Sequence, residues 1–124
     1  MWEPEVHREP RFTDKPPREA AVLVPVVMRS APTLLLTQRT AHLPTHAGQI
    51  AFPGGKIDPE DASAAHAAVR EAHEEVGLAH EAVEVLGALP PYITGTAFVI
   101  TPVVALVRAE ATVRPNPGEV AEAF

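Results

Sequence analysis

Gly54 to Leu78 reads GGKIDPEDASAAHAAVREAHEEVGL, a glycine pair followed by an alanine-rich segment that ends in clustered glutamates. At 3.6 residues per turn, Asp61 to Val76 makes an amphipathic helix. Ala65, Val69, Ala72 and Val76 then share one face, the expected core stripe. Glu71, Glu74 and Glu75 share an adjacent face about 100° wide. Asp58 or Asp61 is the expected N-cap, with Pro59 tolerated in the first turn. Gly77 stands where a C-cap glycine is expected.

The glutamates are poorly placed for stability. Glu71 and Glu75 form an i,i+4 like-charge pair, at a cost of about 0.2–0.5 kcal/mol. All three lie in the last two turns, where the helix dipole disfavours each carboxylate by roughly 0.3–1 kcal/mol. Arg70 can pair with Glu74 at i+4, but one cation does not neutralise three anions. Local rules broken together tend to mark function. A hard divalent cation is the simplest compensation, since Mg²⁺ and Mn²⁺ prefer carboxylate oxygens. Taken alone, the glutamates favour the plainer account, a solvated acidic helix face.

The residues around them narrow the choice. REAHEEVGL fits R-E-U-x-E-E-x-G-U, where U is aliphatic, and it follows a Gly-Gly turn. This resembles the signature of the Nudix hydrolases. Asp61 stands in for the first glutamate of that box, with one extra residue before Arg70. The resemblance implies an α/β/α sandwich around a mixed β-sheet, and Mg²⁺- or Mn²⁺-dependent cleavage of diphosphate bonds in nucleotide derivatives. By the same resemblance Glu71, Glu74, Glu75 and the carbonyl of Gly54 hold metal, and Arg70 orients the glutamates. Gly55 is expected at a tight turn that needs positive φ.

Whole-chain properties agree with a globular enzyme. The 124 residues suit one domain, with 46% hydrophobic and 21% charged content. A net charge of −6 and no basic stripe argue against nucleic acid or anionic lipid as partner. Cysteine is absent, which excludes thiol chemistry and disulfides. The start MWEPEVHREP lacks the basic and apolar regions of a secretory signal, and no apolar run reaches the ~20 residues of a membrane helix. A cytoplasmic protein is the default expectation.

Residues 1–18, with four prolines, read as an extended arm, and residues 19–124 as the domain. Ala21 to Met28 reads as a buried strand, with Pro25 marking an edge or bulge. Leu34 to Gln38 reads as its hairpin partner. Arg39 to Gln49 is a loop, Gln49 to Phe52 a short strand, and Val83 to Leu89 another. Ala97 to Val107 is a long β-rich run interrupted by Pro102. Arg114-Pro115-Asn116-Pro117-Gly118 is a strong turn. The chain stops on Phe124 just after that turn, so an incomplete domain lacking a C-terminal helix is expected. Its exposed sheet face then needs a cover, for which a homodimer partner is one candidate.

The stretch LLLTQRTAHLPTHAGQIAFPGGKIDPED resembles the extended motif of coenzyme A pyrophosphatases, a Nudix subgroup. Leu35 to Arg39, Leu43, His46, Gly48, Gln49 and Phe52 to Gly55 carry the match. Thr101 to Val104 and Asn116 to Val120 look like later segments of the same subgroup. The implied reaction is hydrolysis of coenzyme A to 4′-phosphopantetheine and adenosine 3′,5′-bisphosphate. Glu74 and Glu119 are the two candidates for general base. Arg39 and His46 are the candidate contacts to substrate phosphates, since arginine forks onto phosphate oxygens. His66, His73 and His80 fall seven apart and lack the further ligands of a zinc site. A Nudix hydrolase of NADH or ADP-ribose, or a catalytically silent Nudix-fold binding module, are the competing readings.

Overall fold

In the computed structural model, residues 18–40, 48–94 and 98–124 are described. The expected mixed sheet with a helix on one face is what forms. Two long strands lie at its centre: β1 (Arg18–Met28) runs parallel to β8 (Phe98–Arg108), in register from Arg18↔Phe98 to Met28↔Arg108. Between them in sequence come β2 (Thr33–Leu34), β3 (Thr37–Arg39), β4 (Ile50–Ala51), β5 (Gly54–Lys56), helix α1 (Ala64–Val76), β6 (Val83–Ala88) and β7 (Tyr92–Ile93). β9 (Val120–Ala123) follows β8. The larger sheet runs β2-β1-β8-β6, with β5 antiparallel to β1 and β7 antiparallel to β8. A smaller antiparallel sheet runs β4-β3-β9.

Pro25 and Pro102 both sit in central strands, contrary to the edge or interruption expected for them. Backbone groups two residues apart point to the same edge of a strand. On β1, Leu23 N–H donates to Pro53 O and Pro25 O accepts from Leu35 N–H. The ring nitrogen of Pro25 therefore faces the gap between β5 and β2. Pro102 O accepts from Leu89 N–H, between the end of β6 and the start of β7. Each proline occupies a position where two short strands meet on one edge, so its missing donor costs no ladder bond.

The run expected as one hairpin strand, Leu34 to Gln38, is divided between two sheets. Leu34 pairs with Val26 on β1, whereas Thr37 and Gln38 pair with Ala51 and Ile50 on β4. Leu35 and Leu36 make the crossing, and Leu36 exchanges both backbone hydrogen bonds with Phe124. β1 also starts earlier than expected, at Arg18.

Helix α1 lies on the larger sheet. Its N-cap is Ser63, not Asp58 or Asp61: Ser63 Oγ accepts from His66 N–H at 3.1 Å. Gly77 ends the helix in the left-handed conformation, φ 69°, as the sequence implied. The buried stripe is rotated from the expected one. Ala67, Ala68, Ala72 and Val76 are buried, while Ala65 and Val69 are only partly so. They meet Ala21, Leu23 and Val27 of β1 and Val103, Ala105 and Val107 of β8. Small side chains bring the helix backbone close to the sheet, and the rotation turns Glu71 and Glu75 toward β5. Among the described residues α1 is the single α-helix, so the sandwich is built from the sheet and this one helical layer. No helix there is long and apolar enough to cross a membrane.

Ala72 has no exposed surface. Ala72→Leu should therefore overpack the interface and destabilise the protein by about 1–3 kcal/mol. The same change at exposed Ala79 should stay within about 0.5 kcal/mol. Urea unfolding of the two variants checks this.

Candidate active site

The site forms where α1 passes the glycine pair. Gly54 pairs with Val22 of β1, and a Cβ there would fall 2.4 Å from Ala21 O and 2.7 Å from Val22 Cα. A Cβ on Gly55 would meet the Glu71 carboxylate at 2.6–2.8 Å. A side chain at Gly55 would thus have to displace the Glu71 carboxylate from where it lies. Gly55 does not have the positive φ expected of it; among the described glycines Gly48 and Gly77 do.

Glu75 is 8% exposed, and its Oε1 accepts from Gly54 N–H at 3.3 Å. Burial pushes its carboxyl up to about 7, and the neighbouring Glu71 and Glu119 charges add to this. The Gly54 amide and the Arg39 guanidinium oppose the rise. Glu71 is raised too, chiefly by burial, against the pull of Arg70 and with the help of Glu74 and Glu119. Glu71, Glu75 and Glu119 thus form one mutually repelling group, with Arg39 beside it.

Arg70 organises the other flank. Its Nε and Nη2 fork onto Asp61 Oδ1 and Oδ2, both at 2.9 Å. Nη1 reaches Glu71 Oε2 at 3.1 Å and both oxygens of Glu74 at 3.2 and 3.3 Å. Nη2 also donates to Lys56 O. The Asp61 side chain is 1% exposed and accepts in addition from Asp58 N–H and His66 Nδ1–H. The Arg70 bonds hold its carboxyl far below the ordinary range and hold the Arg70 guanidinium charged. The shorter Asp61 therefore satisfies the arginine despite the extra residue between them, because the turn at Asp58–Asp61 precedes the helix instead of capping it.

The predicted residues are only partly brought together. Glu71 and Glu75 meet at the glycine pair. Glu74 is 54% exposed on its side chain and is turned to Arg70. Arg39 ends β3, close enough to act on Glu75. His46 lies outside the described residues. His66 and His73 are exposed; the His73 ring packs edge-on against His80. No group of three His, Asp or Glu side chains among the described residues converges as a ready metal shell.

Two participants escaped the sequence reading. Asn116 N–H donates to Glu75 O at 2.7 Å, tying the turn before Glu119 to the end of α1. Thr40 N–H donates to Glu119 O, and the Thr40 hydroxyl is buried with no partner among the described residues. An Asn in a Pro-Asn-Pro-Gly turn is a sequence signal for side-chain capping of the following amides. Thr40 carries no comparable signal.

These shifts set a pH dependence. Folded Glu75 titrates near 7 and an ordinary glutamate at 4.5. Between those values the folded protein keeps a proton that the unfolded chain has released, so stability falls as pH rises. Without divalent metal, the melting temperature should therefore decline from pH 4.5 to above pH 7. Glu75→Gln should flatten much of that decline and melt higher than wild type at the alkaline end. Thermal melts in chelating buffer across that range check it.

Comparison with known proteins supports the same assignment. The NUDIX domain profile matches residues 17–124. The chain is 49% identical over 124 residues to "Uncharacterized Nudix hydrolase NudL" of Shigella flexneri serotype 5b, covering 100% of this chain and 62% of that protein. It is 52% identical over 107 residues to the protein of that name from Escherichia coli K12, covering 86% and 56%. The chain thus spans about three-fifths of the length of these curated relatives. Among solved structures, a Nudix hydrolase from M. smegmatis, RenU, superposes with TM-score 0.73 at 31% identity, covering 89% of this chain and 70% of that one. A C. elegans Ap4A hydrolase in a binary complex superposes with TM-score 0.70 at 22% identity, covering 85% and 76%, a likeness of fold alone. That profile spans α1, the glycine pair and every described strand: the chain belongs to the NUDIX domain family.

Proposed function

We propose that this protein hydrolyses the diphosphate bond of coenzyme A or its derivatives with the help of Mg²⁺ or Mn²⁺, giving 4′-phosphopantetheine and adenosine 3′,5′-bisphosphate. The observation that carries the proposal is the grouping of Glu71, Glu75 and Glu119, two of them with raised carboxyls, at a glycine turn with Arg39 beside it. A purely carboxylate and carbonyl donor set suits a hard divalent cation. Glu71, Glu74, Glu75 and the Gly54 carbonyl would hold it. A cation bound there would neutralise diphosphate charge and acidify a coordinated water.

The chain's own groups divide the remaining work. Arg70 keeps Glu71 and Glu74 oriented through the Asp61 fork. Of the two candidate bases we favour Glu119: Glu74 is engaged by Arg70, whereas the Glu119 charge is felt at both Glu71 and Glu75. Glu119 would accept the proton of the attacking water, whose oxygen bonds to one phosphorus as the bridging P–O bond breaks. Arg39, and His46 from outside the described residues, would bind substrate phosphates. The coenzyme A assignment rests on the motif whose described part, Leu35–Arg39 and Gly48–Gly55, forms β3, β4 and β5 around the site.

One parallel incubation with coenzyme A, NADH and ADP-ribose, with Mg²⁺ or Mn²⁺ and product identification, tests the substrate. Coenzyme A should be the preferred substrate; turnover of another compound alone would reassign it, and no turnover at all would favour a silent binding module. Glu75→Gln should lower turnover by more than about tenfold, the lower bound for disturbing a metal centre. Its fold should persist, as judged by a cooperative melt. Arg39→Ala should weaken coenzyme A about tenfold or more, as loss of a charged hydrogen bond does. It should affect 3′-dephospho-coenzyme A less, and equal losses on both would move Arg39 away from the 3′-phosphate.

A further inference from the structure

We propose that Asn116 is a positioning residue that sets where the Glu119 carboxylate stands relative to Glu71 and Glu75. The inference rests on the reading of Glu119 as the base beside the metal site, where its charge would also draw the cation. An α-helix leaves its last carbonyls without intrahelical partners. Here the segment between β8 and β9 supplies them: Arg114 N–H donates to Val76 O at 2.6 Å and Asn116 N–H to Glu75 O at 2.7 Å. Pro115 and Pro117 flank Asn116, have no N–H and hold φ near −65°. Asn116 is therefore the donor of this Pro-Asn-Pro run, and its neighbours cannot compete for the carbonyl.

The same residue fixes the chain that follows. Asn116 O accepts from Glu119 N–H at 3.0 Å and from Val120 N–H at 2.8 Å. Asn116 Oδ1 accepts from Gly118 N–H at 3.1 Å, closing the turn. Glu119 is gripped on its other side by Thr40 N–H, which donates to Glu119 O at 3.2 Å. Glu75 thus offers its carboxylate to the site and its carbonyl to Asn116, and Asn116 passes that anchor to Glu119 within one turn. A displacement of the helix end would carry the Glu119 backbone with it, so the point from which its carboxylate projects stays tied to Glu75. Removing Oδ1 frees the Gly118 amide and loosens the turn, while the backbone bonds that build β9 remain.

The test is a Mn²⁺ titration of the intact chain without substrate, in wild type, Asn116→Ala, Glu119→Gln and the double variant. If Asn116 works through Glu119, Asn116→Ala weakens Mn²⁺ binding about tenfold, as loss of an outer-sphere partner does. Glu119→Gln weakens it at least as much, and the double variant binds no worse than Glu119→Gln. Asn116→Ser, which keeps a side-chain acceptor, should restore most of the affinity. An Asn116→Ala variant that binds like wild type overturns the inference. So does one that loses the same factor in the Glu119→Gln background, since that is a general structural role. If Glu75→Gln abolishes binding while both Asn116→Ala and Glu119→Gln leave it intact, the inference fails and the metal reading stands. A wild-type chain that binds no Mn²⁺ overturns both.

Discussion

The close backbone approach at Gly54 and Gly55 is the constraint on which the rest of this structure depends. Gly54 lies against the backbone of Ala21 and Val22 at a distance that excludes a Cβ, and Gly55 lies where a Cβ would push the Glu71 carboxylate aside. A helix carrying Ala67, Ala68 and Ala72 on its inner face can come down on β1 and β5 only if the strand beneath has no side chains in the way. Once it has done so, Glu71 and Glu75 are carried into a partly dry position. Their ionised forms lose solvation there and gain one backbone amide, from Gly54. The raised carboxyls follow from packing, and the packing follows from glycine and alanine.

A second consequence is the separation of roles along one helix. Residues four apart share a face, so Glu71 and Glu75 point together to the glycine pair, while Arg70 and Glu74 share the neighbouring face. Arg70 faces Asp61, Glu71 and Glu74 at once. Its charge is largely taken up by the buried Asp61, which fixes the guanidinium plane. The cation that helps to hold the helix does not neutralise Glu75. An acidic pair, Glu71 and Glu75, therefore persists beside a satisfied ion-pair network. Such a division lets the protein keep unfavourable charge at one place without losing the helix that carries it.

The smaller sheet completes the arrangement from the opposite side. β3 ends at Arg39, and the next residue, Thr40, bonds to Glu119 just before β9. The register between β3 and β9 shifts between Gln38 and Arg39, where the strand leaves regular pairing next to the acidic group. Irregularities of this kind commonly sit beside functional sites, because they redirect a side chain without ending the strand.

The helix and the long strands were legible in the sequence, whereas β5, β7 and β9 were not. The glutamate spacing, Gly77, the β-branched runs and the Pro-Asn-Pro-Gly turn each reflect local backbone physics. So does the i+4 pairing of Arg70 with Glu74. What the chain by itself did not decide was set by contacts between distant segments. Which strand Leu34 to Gln38 joins depends on β1 and β4 competing for it. Whether Pro25 can lie in a central strand depends on where β5 and β2 end. Which helix face is buried depends on the glycine pair beneath it. Gly55 was singled out in the sequence for a dihedral reason, whereas the structure places the Glu71 carboxylate where its Cβ would be. The coupling of Asn116, Thr40 and Glu119 to the helix end likewise arises from hydrogen bonds across long stretches of chain. Periodicity reports a residue's own face, and only the tertiary structure decides what that face meets.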